Sequence, residues 1–166
     1  MIDAEEVTVV PASQQDFAAL SNLLELYSHD LSDVFSLETG PDGRFGYAKL
    51  SLYASEPGKR FPFLIHHGPR LAGFAFVTRG SPASEDASVF DVAEFFVLRR
   101  HRRAGVGRRA AFGLWNRLHG HWTVRVANGN RDGLEFWSRV VSEYTHGSFE
   151  EKTVAGSPHD WRVFSF

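Results

Sequence analysis

The apolar residues of this chain switch between the spacing of strands and the spacing of helices along its whole length. β-Branched residues at 7–10 predict a first strand, and Ser13, with Asp16 three residues later, is typical of a helix start. Apolar side chains then recur every three or four residues, which predicts a helix that ends at about Leu31. A short helix is predicted over 45–54.

Strands and helices alternate again in the rest of the chain. Residues 61–66 and 71–78 are β-rich runs on either side of a turn, so they predict a hairpin. An apolar strand ends at Val97, an amphipathic helix runs to about Leu118, and a further strand covers 122–126.

The end of the chain completes the pattern. A helix that holds Trp137 is predicted next, and residues 144–149 and 161–166 predict two closing strands, antiparallel and joined by a turn. The order β, α, (α), β, β, β, α, β, α, β, β predicts an α/β (α+β) domain with a mixed sheet. We expect residues 1–166 to form a single domain, because one core suffices for a chain of this length.

Composition narrows the functional classes. The net charge of −2 excludes a globally basic nucleic-acid binder, although it leaves room for a local basic patch. The chain has no cysteine, so it has no disulfide, thiolate metal site or cysteine nucleophile. Neither a signal peptide nor an apolar run long enough to cross a membrane is recognisable, and we expect a soluble cytoplasmic protein.

Two glycines surrounded by arginines stand where the strand ending at Val97 meets the next helix, in the segment Arg102-Arg103-Ala104-Gly105-Val106-Gly107-Arg108. Glycine lets the backbone approach a ligand closely, and the first N–H groups of a helix have no partner inside the helix. Together with the helix dipole, these groups favour an anion such as a phosphate or diphosphate.

The spacing Arg102-x-x-Gly105-x-Gly107, between a strand and a helix, resembles the acyl-CoA-binding signature of the GNAT superfamily of N-acetyltransferases. Residues 130–137 resemble the Asn-x-x-Ala helix of the same family. The resemblance implies the GNAT fold, in which helices flank a central, mostly antiparallel sheet. It also implies transfer of an acetyl group from acetyl-CoA to a primary amine, without a metal.

The resemblance assigns the cofactor site residue by residue. The glycine segment would hold the diphosphate, whereas the strand before it and Asn130 would hold the pantetheine arm. These predicted cofactor-binding residues are Phe95, Phe96, Val97, Arg102, Arg103, Ala104, Gly105, Val106, Gly107, Arg108 and Asn130. A backbone N–H near Val97 or Leu98 would face the thioester oxygen. Asn130 is equally well explained as a helix N-cap, and the two roles are compatible.

Glu94 is a carboxylate inside an otherwise apolar strand, where a buried charge is costly and often functional. It is the first candidate for the base that takes a proton from the amine, and Asp91 is the second. A regular strand would point the two side chains to opposite faces, and a bulge would change that. The competing interpretation is a structural pair between Glu94 and an arginine.

Trp137 departs from the family pattern. Many GNAT enzymes have a tyrosine seven residues after the asparagine, where it protonates the leaving thiolate, and an indole N–H is no proton source. Either Tyr144 or another group protonates the thiolate, or the thiolate leaves without help.

The first helix and the loop after it usually form the acceptor side in this family. Tyr27 and Asp30 are therefore the predicted acceptor-binding residues, in a polar cluster that is also typical of a solvated loop. The acceptor would be a small-molecule or peptide amine, and the resemblance is compatible with a homodimer.

Other functions fit parts of the sequence. Six arginines in the eleven positions 99–109 suggest nucleic-acid binding, which the acidic balance disfavours. A GNAT-fold sensor that binds acyl-CoA without turnover is compatible with the missing tyrosine. The eight histidines lack the spacing of a zinc site, so no metal is expected.

Overall fold

The computed structural model describes residues 5–166, which form one seven-stranded sheet with helices on both faces. The strands are β1 (Val7–Pro11), β2 (Arg60–His67), β3 (Arg70–Arg79), β4 (Phe90–Val97), β5 (Trp122–Ala127), β6 (Glu150–Val154) and β7 (Trp161–Ser165). The helices are α1 (Phe17–Phe35), α2 (Leu50–Ser55), α3 (Val106–Arg117) and α4 (Arg131–Thr145), and short 3-10 turns cover Gln14–Asp16 and Arg99–His101.

The sheet has the order β1-β2-β3-β4-β5-β7-β6, and only the central pair β4–β5 runs parallel. This confirms the predicted mixed, mostly antiparallel sheet. β4 and β5 pair over three residues only, ending at Val92 opposite Val124. Beyond these two residues the strands no longer pair, and a gap opens in the middle of the sheet.

Each face of the sheet has its own core, and β3 contributes to both because strand side chains alternate. Phe74 and Phe76 pack with α1 and α2, whereas Ala75 and Val77 pack with α3 and α4. The gap between β4 and β5 therefore lies between two helical layers, with α1 on one side and α4 on the other.

A bulge in β4 decides which way its acidic residues point. Phe76 pairs with Glu94 and the next residue, Val77, pairs with Val92, so Ala93 is an extra residue on β4. Asp91 and Glu94, three residues apart, consequently face the same side of the sheet. The sequence allows for such a bulge without predicting it, and the bulge explains why Asp91 and Glu94 do not point to opposite faces.

The predicted strand over 144–149 is wrong. Tyr144 belongs to α4, which runs to Thr145 and ends at His146 in the left-handed conformation. Its helical spacing with Trp137 and Val141 continues the apolar face of the helix, and this outweighs the preference of tyrosine for strands. The antiparallel pair of strands at the end of the chain is confirmed. Its first strand, β6, begins at Glu150, after the predicted range, and no pattern in the sequence indicates it, because its residues are all exposed and do not alternate between apolar and polar.

The remaining boundaries differ little from those predicted. α1 continues four residues past Leu31, to Phe35, and ends at a left-handed Ser36. α2 begins only at Leu50, because the chain before it passes through a left-handed Gly46. Ser13 and Asp16 form the expected capping box. No helix within residues 5–166 is both long and apolar enough to span a membrane.

Candidate active site

The segment 102–108, here named the glycine loop, leads from β4 into α3 and presents free backbone N–H groups. Gly105 caps the helix in the left-handed conformation, with φ of 72°, which glycine adopts without strain. The first N–H that bonds within the helix is that of Arg109, to the Gly105 carbonyl at 3.0 Å. The N–H groups of Val106, Gly107 and Arg108 precede it and form the electropositive helix end that suits an anion.

Most of the arginines around the glycine loop build it rather than face its ligand side. Arg102 donates from Nε to the Val97 carbonyl at 2.6 Å and from Nη2 to Asp30 at 2.5 Å. Arg99 donates to the other oxygen of Asp30 at 3.0 Å. Burial by itself would raise the pKa of Asp30, but the hydrogen bonds from Arg102 and Arg99 outweigh burial and lower this pKa. Asp30 therefore ties α1 to the glycine loop, which corrects its expected place in the acceptor site.

Arg108 and Arg109 are also held by the chain itself. Arg108 lies over the Phe112 ring and forms a bidentate pair with Glu143 of α4, with both Nε distances at 2.8 Å. Arg109 donates to the Ala104 carbonyl at 3.0 Å and to the Glu5 carbonyl at 2.6 Å. Arg102 and Arg108 thus support the loop, and each is paired with a carboxylate of the chain.

Gly107 is required by packing. A Cβ atom at this position would lie 3.1 Å from the Phe136 ring and 3.7 Å from Val97 Cγ2. The absence of a side chain lets α3, α4 and the end of β4 meet closely beneath the glycine loop. This close packing at Gly107 supports the glycine loop and keeps the N–H groups of the loop in place.

The backbone of β4 offers hydrogen-bonding groups to the gap. Leu98 N–H donates to the Ala72 carbonyl at 2.8 Å, so it is not free to stabilise an oxyanion. Because antiparallel pairs alternate between bonded and non-bonded, Phe96 bonds β3, whereas the backbone groups of Phe95 and Val97 point toward the gap. Arg102 occupies the Val97 carbonyl, which leaves the two N–H groups and the Phe95 carbonyl for a ligand.

Asn130 performs the capping role and also lines the gap. Its Oδ1 accepts from Gly133 N–H at 3.0 Å at the start of α4. The residue borders the cavity described below, so the side-chain amide NH₂ and the backbone are the groups it can offer there. The N-cap role of Asn130 is confirmed, and its contact with a pantetheine arm stays a prediction.

A cavity of about 610 Å³ occupies the gap and extends to α1 and the loop before α2. On the sheet side it is lined by Glu94, Phe95 and Arg125, and by Trp137 of α4. Five aromatic residues also line it, namely Tyr27, Phe35, Phe45, Tyr47 and Trp161. A cavity that runs along the diverging strands and has aromatic walls can hold two reactants side by side.

Glu94 lines this cavity on β4, two residues beyond its last pair with β5. Its carboxylate accepts one hydrogen bond from Tyr27 Oη at 2.6 Å and one from Tyr47 Oη at 2.9 Å. Burial raises the pKa of Glu94, while the two tyrosine hydroxyls and the positive charge of Arg125 oppose the increase. A carboxyl group with a raised pKa that is held in position at a cavity is suited to accept a proton.

Tyr27 is predicted to hold the pKa of Glu94 down. Changing Tyr27 to Phe removes a hydrogen bond that stabilises the charged carboxylate, so the pKa of Glu94 rises further. We expect the titration curve of the Glu94 carboxyl group, followed by carbon NMR, to move to higher pH. Tyr53→Phe is the matched control, because Tyr53 stacks on Phe76 in the same cluster without bonding Glu94. Equal titration curves for the two variants would contradict this role.

Asp91 lies behind the cavity and not in it. The residue has no exposed surface, and its oxygens accept from Thr123 at 2.6 Å, Ser81 at 2.9 Å and Arg125 at 2.8 Å. A base must reach its proton, and here both oxygens are already occupied. The second candidate base therefore has a structural place, as the counter-ion of Arg125.

The expected acid is absent from the cavity lining. Tyr144 donates to Asn116 Oδ1 at 3.0 Å and packs against Phe112 and Trp115, between α3 and α4. Trp137 does line the cavity, with its ring 4.9 Å from that of Phe95. The structure thus corrects the expectation for Tyr144 and places an indole where the family pattern has a phenol.

Two site residues escaped the sequence analysis. Tyr47 stands in a loop without periodicity, and nothing in the sequence brings it to Glu94. Arg125 carried a usable signal, because it is the one charged residue of the apolar strand β5. The neighbouring β4 holds two carboxylates, Asp91 and Glu94, so a buried pair between the two strands was predictable, and the structure forms it with Asp91.

The sequence matches no protein-family model, and no curated protein matches it. Solved structures do match. An acetyltransferase from Thermus thermophilus superposes with a TM-score of 0.70 at 15% identity, over 100% of this chain and 99% of that one. A spermidine N-acetyltransferase from Vibrio cholerae, in complex with CoA and spermine, gives 0.65 at 14% identity, over 99% and 96%.

A third match is the ribosomal-protein-S18-alanine N-acetyltransferase from Escherichia coli, with a TM-score of 0.62 at 14% identity over 97% of this chain and 93% of that one. Coverage of both chains is nearly complete in all three. The chain has the GNAT fold. The predicted fold is therefore confirmed.

The gap and the free helix end are two features of this GNAT fold that fit acetyl-CoA. The glycine loop offers N–H groups to a diphosphate, and the unpaired backbone of β4 offers partners to the amides of a pantetheine arm. Within residues 5–166, no three His, Asp or Glu side chains are grouped so that they could hold a metal ion.

Proposed function

We propose that this protein is an N-acetyltransferase that transfers the acetyl group of acetyl-CoA to a primary amine. The observation that carries the proposal is the position of Glu94, which two tyrosine hydroxyls hold in the aromatic-lined cavity between β4 and β5. Structural neighbours that are acetyltransferases support it. A cytoplasmic location and a homodimer stay predictions.

The chain offers a continuous path for acetyl-CoA. The N–H groups of Val106, Gly107 and Arg108 would bind the diphosphate, and Arg103, exposed in the same loop, would add charge. The backbone groups of Phe95 and the amide of Asn130 would bind the pantetheine arm. When bound, acetyl-CoA supplies an acetyl thioester, whose carbonyl carbon is open to attack by an amine.

Glu94 would prepare the amine for this attack. A primary amine with a pKa near ~10 is mostly protonated at neutral pH and must lose a proton before it becomes a nucleophile. Glu94 would take this proton directly or through one water, while Tyr27 and Tyr47 keep the carboxylate facing the gap. The N–H group of Val97 would donate to the oxygen that becomes negative, and one such donor is worth about 3 kcal/mol.

A sensor that binds acyl-CoA without turnover is the second candidate, and Trp137 is the observation that favours it. The indole lines the cavity where an acid is needed, and Tyr144 is bonded elsewhere. Under the transferase proposal, the thiolate leaves without a dedicated tyrosine, which its moderate basicity permits.

Two measurements on the purified full chain distinguish these functions. Calorimetric titration with acetyl-CoA is expected to give saturable binding under either proposal, and no binding would overturn both. Thiol release is then followed with a panel of amines, amino acids and aminoglycosides. Release with at least one acceptor supports the transferase, whereas binding without release from any acceptor supports the sensor.

The helix end is tested by adding a charge to the glycine loop. Ala104 is exposed next to Gly105, so Ala104→Glu would place a carboxylate beside the N–H groups that receive the diphosphate. We expect acetyl-CoA affinity to fall by about tenfold through charge repulsion, while the helix itself keeps or gains stability. Ala104→Gln is the neutral control of equal size. Equal affinity of the two variants in calorimetry would place the diphosphate elsewhere.

A further inference from the structure

The guanidinium group of Arg125 is held in place by Asp91 through two of its three nitrogens. Its Nε and Nη2 are bonded to the buried Asp91 at 3.0 and 2.8 Å, which locks the side chain in a bidentate pair. Its third nitrogen, Nη1, has no hydrogen-bond acceptor within residues 5–166. Because Arg125 lines the cavity and its side chain is 21% exposed, this nitrogen is available to a ligand there.

The strand geometry puts Arg125 at the narrow end of the gap. The last β4–β5 pair joins Val92 to Val124, so Arg125 is the first β5 residue beyond it. Glu94 is the second residue beyond it on β4, turned to the same face as Asp91 by the bulge. The two groups interact electrostatically, since each shifts the pKa of the other toward its charged form. A cation and a base therefore face the same ligand.

The walls next to Arg125 are aromatic. Phe35 and Trp161 stack with centroids 6.0 Å apart, and the Arg125 guanidinium lies 5.7 Å from the Trp161 ring. Phe45 and Tyr47 line the side that faces α1. Such walls favour a large apolar or aromatic group on the ligand.

Charged side chains of both signs line the cavity. Lys49 lines it as a second cation, and Glu38 lines it as a second carboxylate. An acceptor with a negative group near its amine would therefore meet opposite charge at both groups.

We propose that the acceptor is an α-amino acid with an aromatic or large apolar side chain, whose carboxylate binds Arg125 Nη1 and whose amine faces Glu94. The inference rests on the proposed function, and it makes Arg125 the residue that determines acceptor specificity. The carboxylate and amine of an α-amino acid are separated by a single carbon, which suits two opposite charges at one end of a gap. The apolar side chain would lie between Phe35, Trp161 and Tyr47.

Binding of a product analogue tests the inference without turnover. The full chain saturated with CoA is titrated in a calorimeter with N-acetyl-L-phenylalanine and, separately, with its carboxamide. We expect the acid to bind about tenfold more tightly or better, as a charge-assisted hydrogen bond requires. Equal binding of acid and amide, or binding of neither, would overturn the inference.

A double variant isolates Arg125. Arg125→Gln alone leaves Asp91 buried without its counter-ion, so Asp91→Asn is combined with it and thermal melting checks the fold. We expect this folded variant to bind the acid and the amide equally well, and a preserved preference for the acid would exclude Arg125 as its cause. If the double variant does not fold, Arg125→Lys keeps the charge beside Asp91 and removes the fixed Nη1 donor. The preference for the acid is then expected to fall without disappearing, because the ammonium group still attracts a carboxylate, and an unchanged preference would exclude Nη1 as its cause.

Turnover assays distinguish the proposed amino-acid acceptor from the proposed acetyltransferase activity. Thiol release with 2-phenylethylamine but not with L-phenylalanine would overturn the amino-acid acceptor and leave the transferase standing. No release with any amine would overturn the transferase, and the calorimetric preference for the acid would still decide whether Arg125 binds carboxylates.

Discussion

Replacing Glu94 with Gln is expected to lower kcat by about 10²- to 10⁴-fold, which is the usual contribution of a general base. The amide keeps the size of the carboxyl group and can still meet the hydroxyls of Tyr27 and Tyr47, so the cavity keeps its shape. Because burial raises the pKa of Glu94, the wild-type rate rises with pH as this group loses its proton. The variant is expected to lack that rise. Initial rates of thiol release across pH give both quantities.

The affinity for acetyl-CoA distinguishes a lost base from a damaged site. Glu94→Gln should bind acetyl-CoA as the wild type does, because the groups proposed to hold the diphosphate and the pantetheine arm are elsewhere. Glu135→Gln, an exposed position on α4, controls for the loss of one negative charge. Wild-type rates for Glu94→Gln at every pH would remove Glu94 from the mechanism.

Replacing Asp91 with Asn is expected to reduce the free energy of unfolding by about 3 kcal/mol, toward the lower end of the range for a broken buried ion pair. Asp91 is fully buried, and its loss of charge leaves the Arg125 guanidinium without a counter-ion. The effect stays at the lower end because the Arg125 side chain is 21% exposed and water reaches part of it. Urea unfolding followed by circular dichroism measures the change.

An exposed ion pair provides the comparison. Glu143→Gln breaks the pair with Arg108, in which both side chains are more than 40% exposed. Water already solvates these charges, so the urea midpoint is expected to stay where it is. A loss for Asp91→Asn no larger than that for Glu143→Gln would show that the Asp91–Arg125 pair does not hold β4 and β5 together.

The order of the elements was predictable because it depends on local periodicity. The hairpin of β2 and β3, the helix after the glycine loop and the N-cap at Asn130 each follow from residues close in sequence. The strand predicted over 144–149 failed for the same local reason. Its β-forming residues share the helical face of Trp137, and packing of that face against α3 and β7 decides the outcome.

The roles of individual charged residues were less predictable. Arg102, Arg108 and Asp30 looked like ligands of phosphate or amine, and the structure gives each an ion-pair partner within the chain. Such pairs join residues 35 to 72 positions apart in sequence, so no local pattern reports them. Glu94 is the exception, because a carboxylate among the apolar residues of a buried strand needs a special environment wherever it lies.

Local sequence was enough to predict the succession of strands and helices, the free helix end at Gly105 and the unusual position of Glu94. These depend on the spacing of apolar residues, on the conformational freedom of glycine and on the cost of burying a charge. Which groups meet became visible only in the folded chain. The bulge in β4 turns Asp91 and Glu94 to one face, the loop before α2 brings Tyr47 to Glu94, and β5 places Arg125 between Asp91 and the cavity. Contacts between distant segments arise from packing of the whole sheet, which no single stretch of sequence encodes.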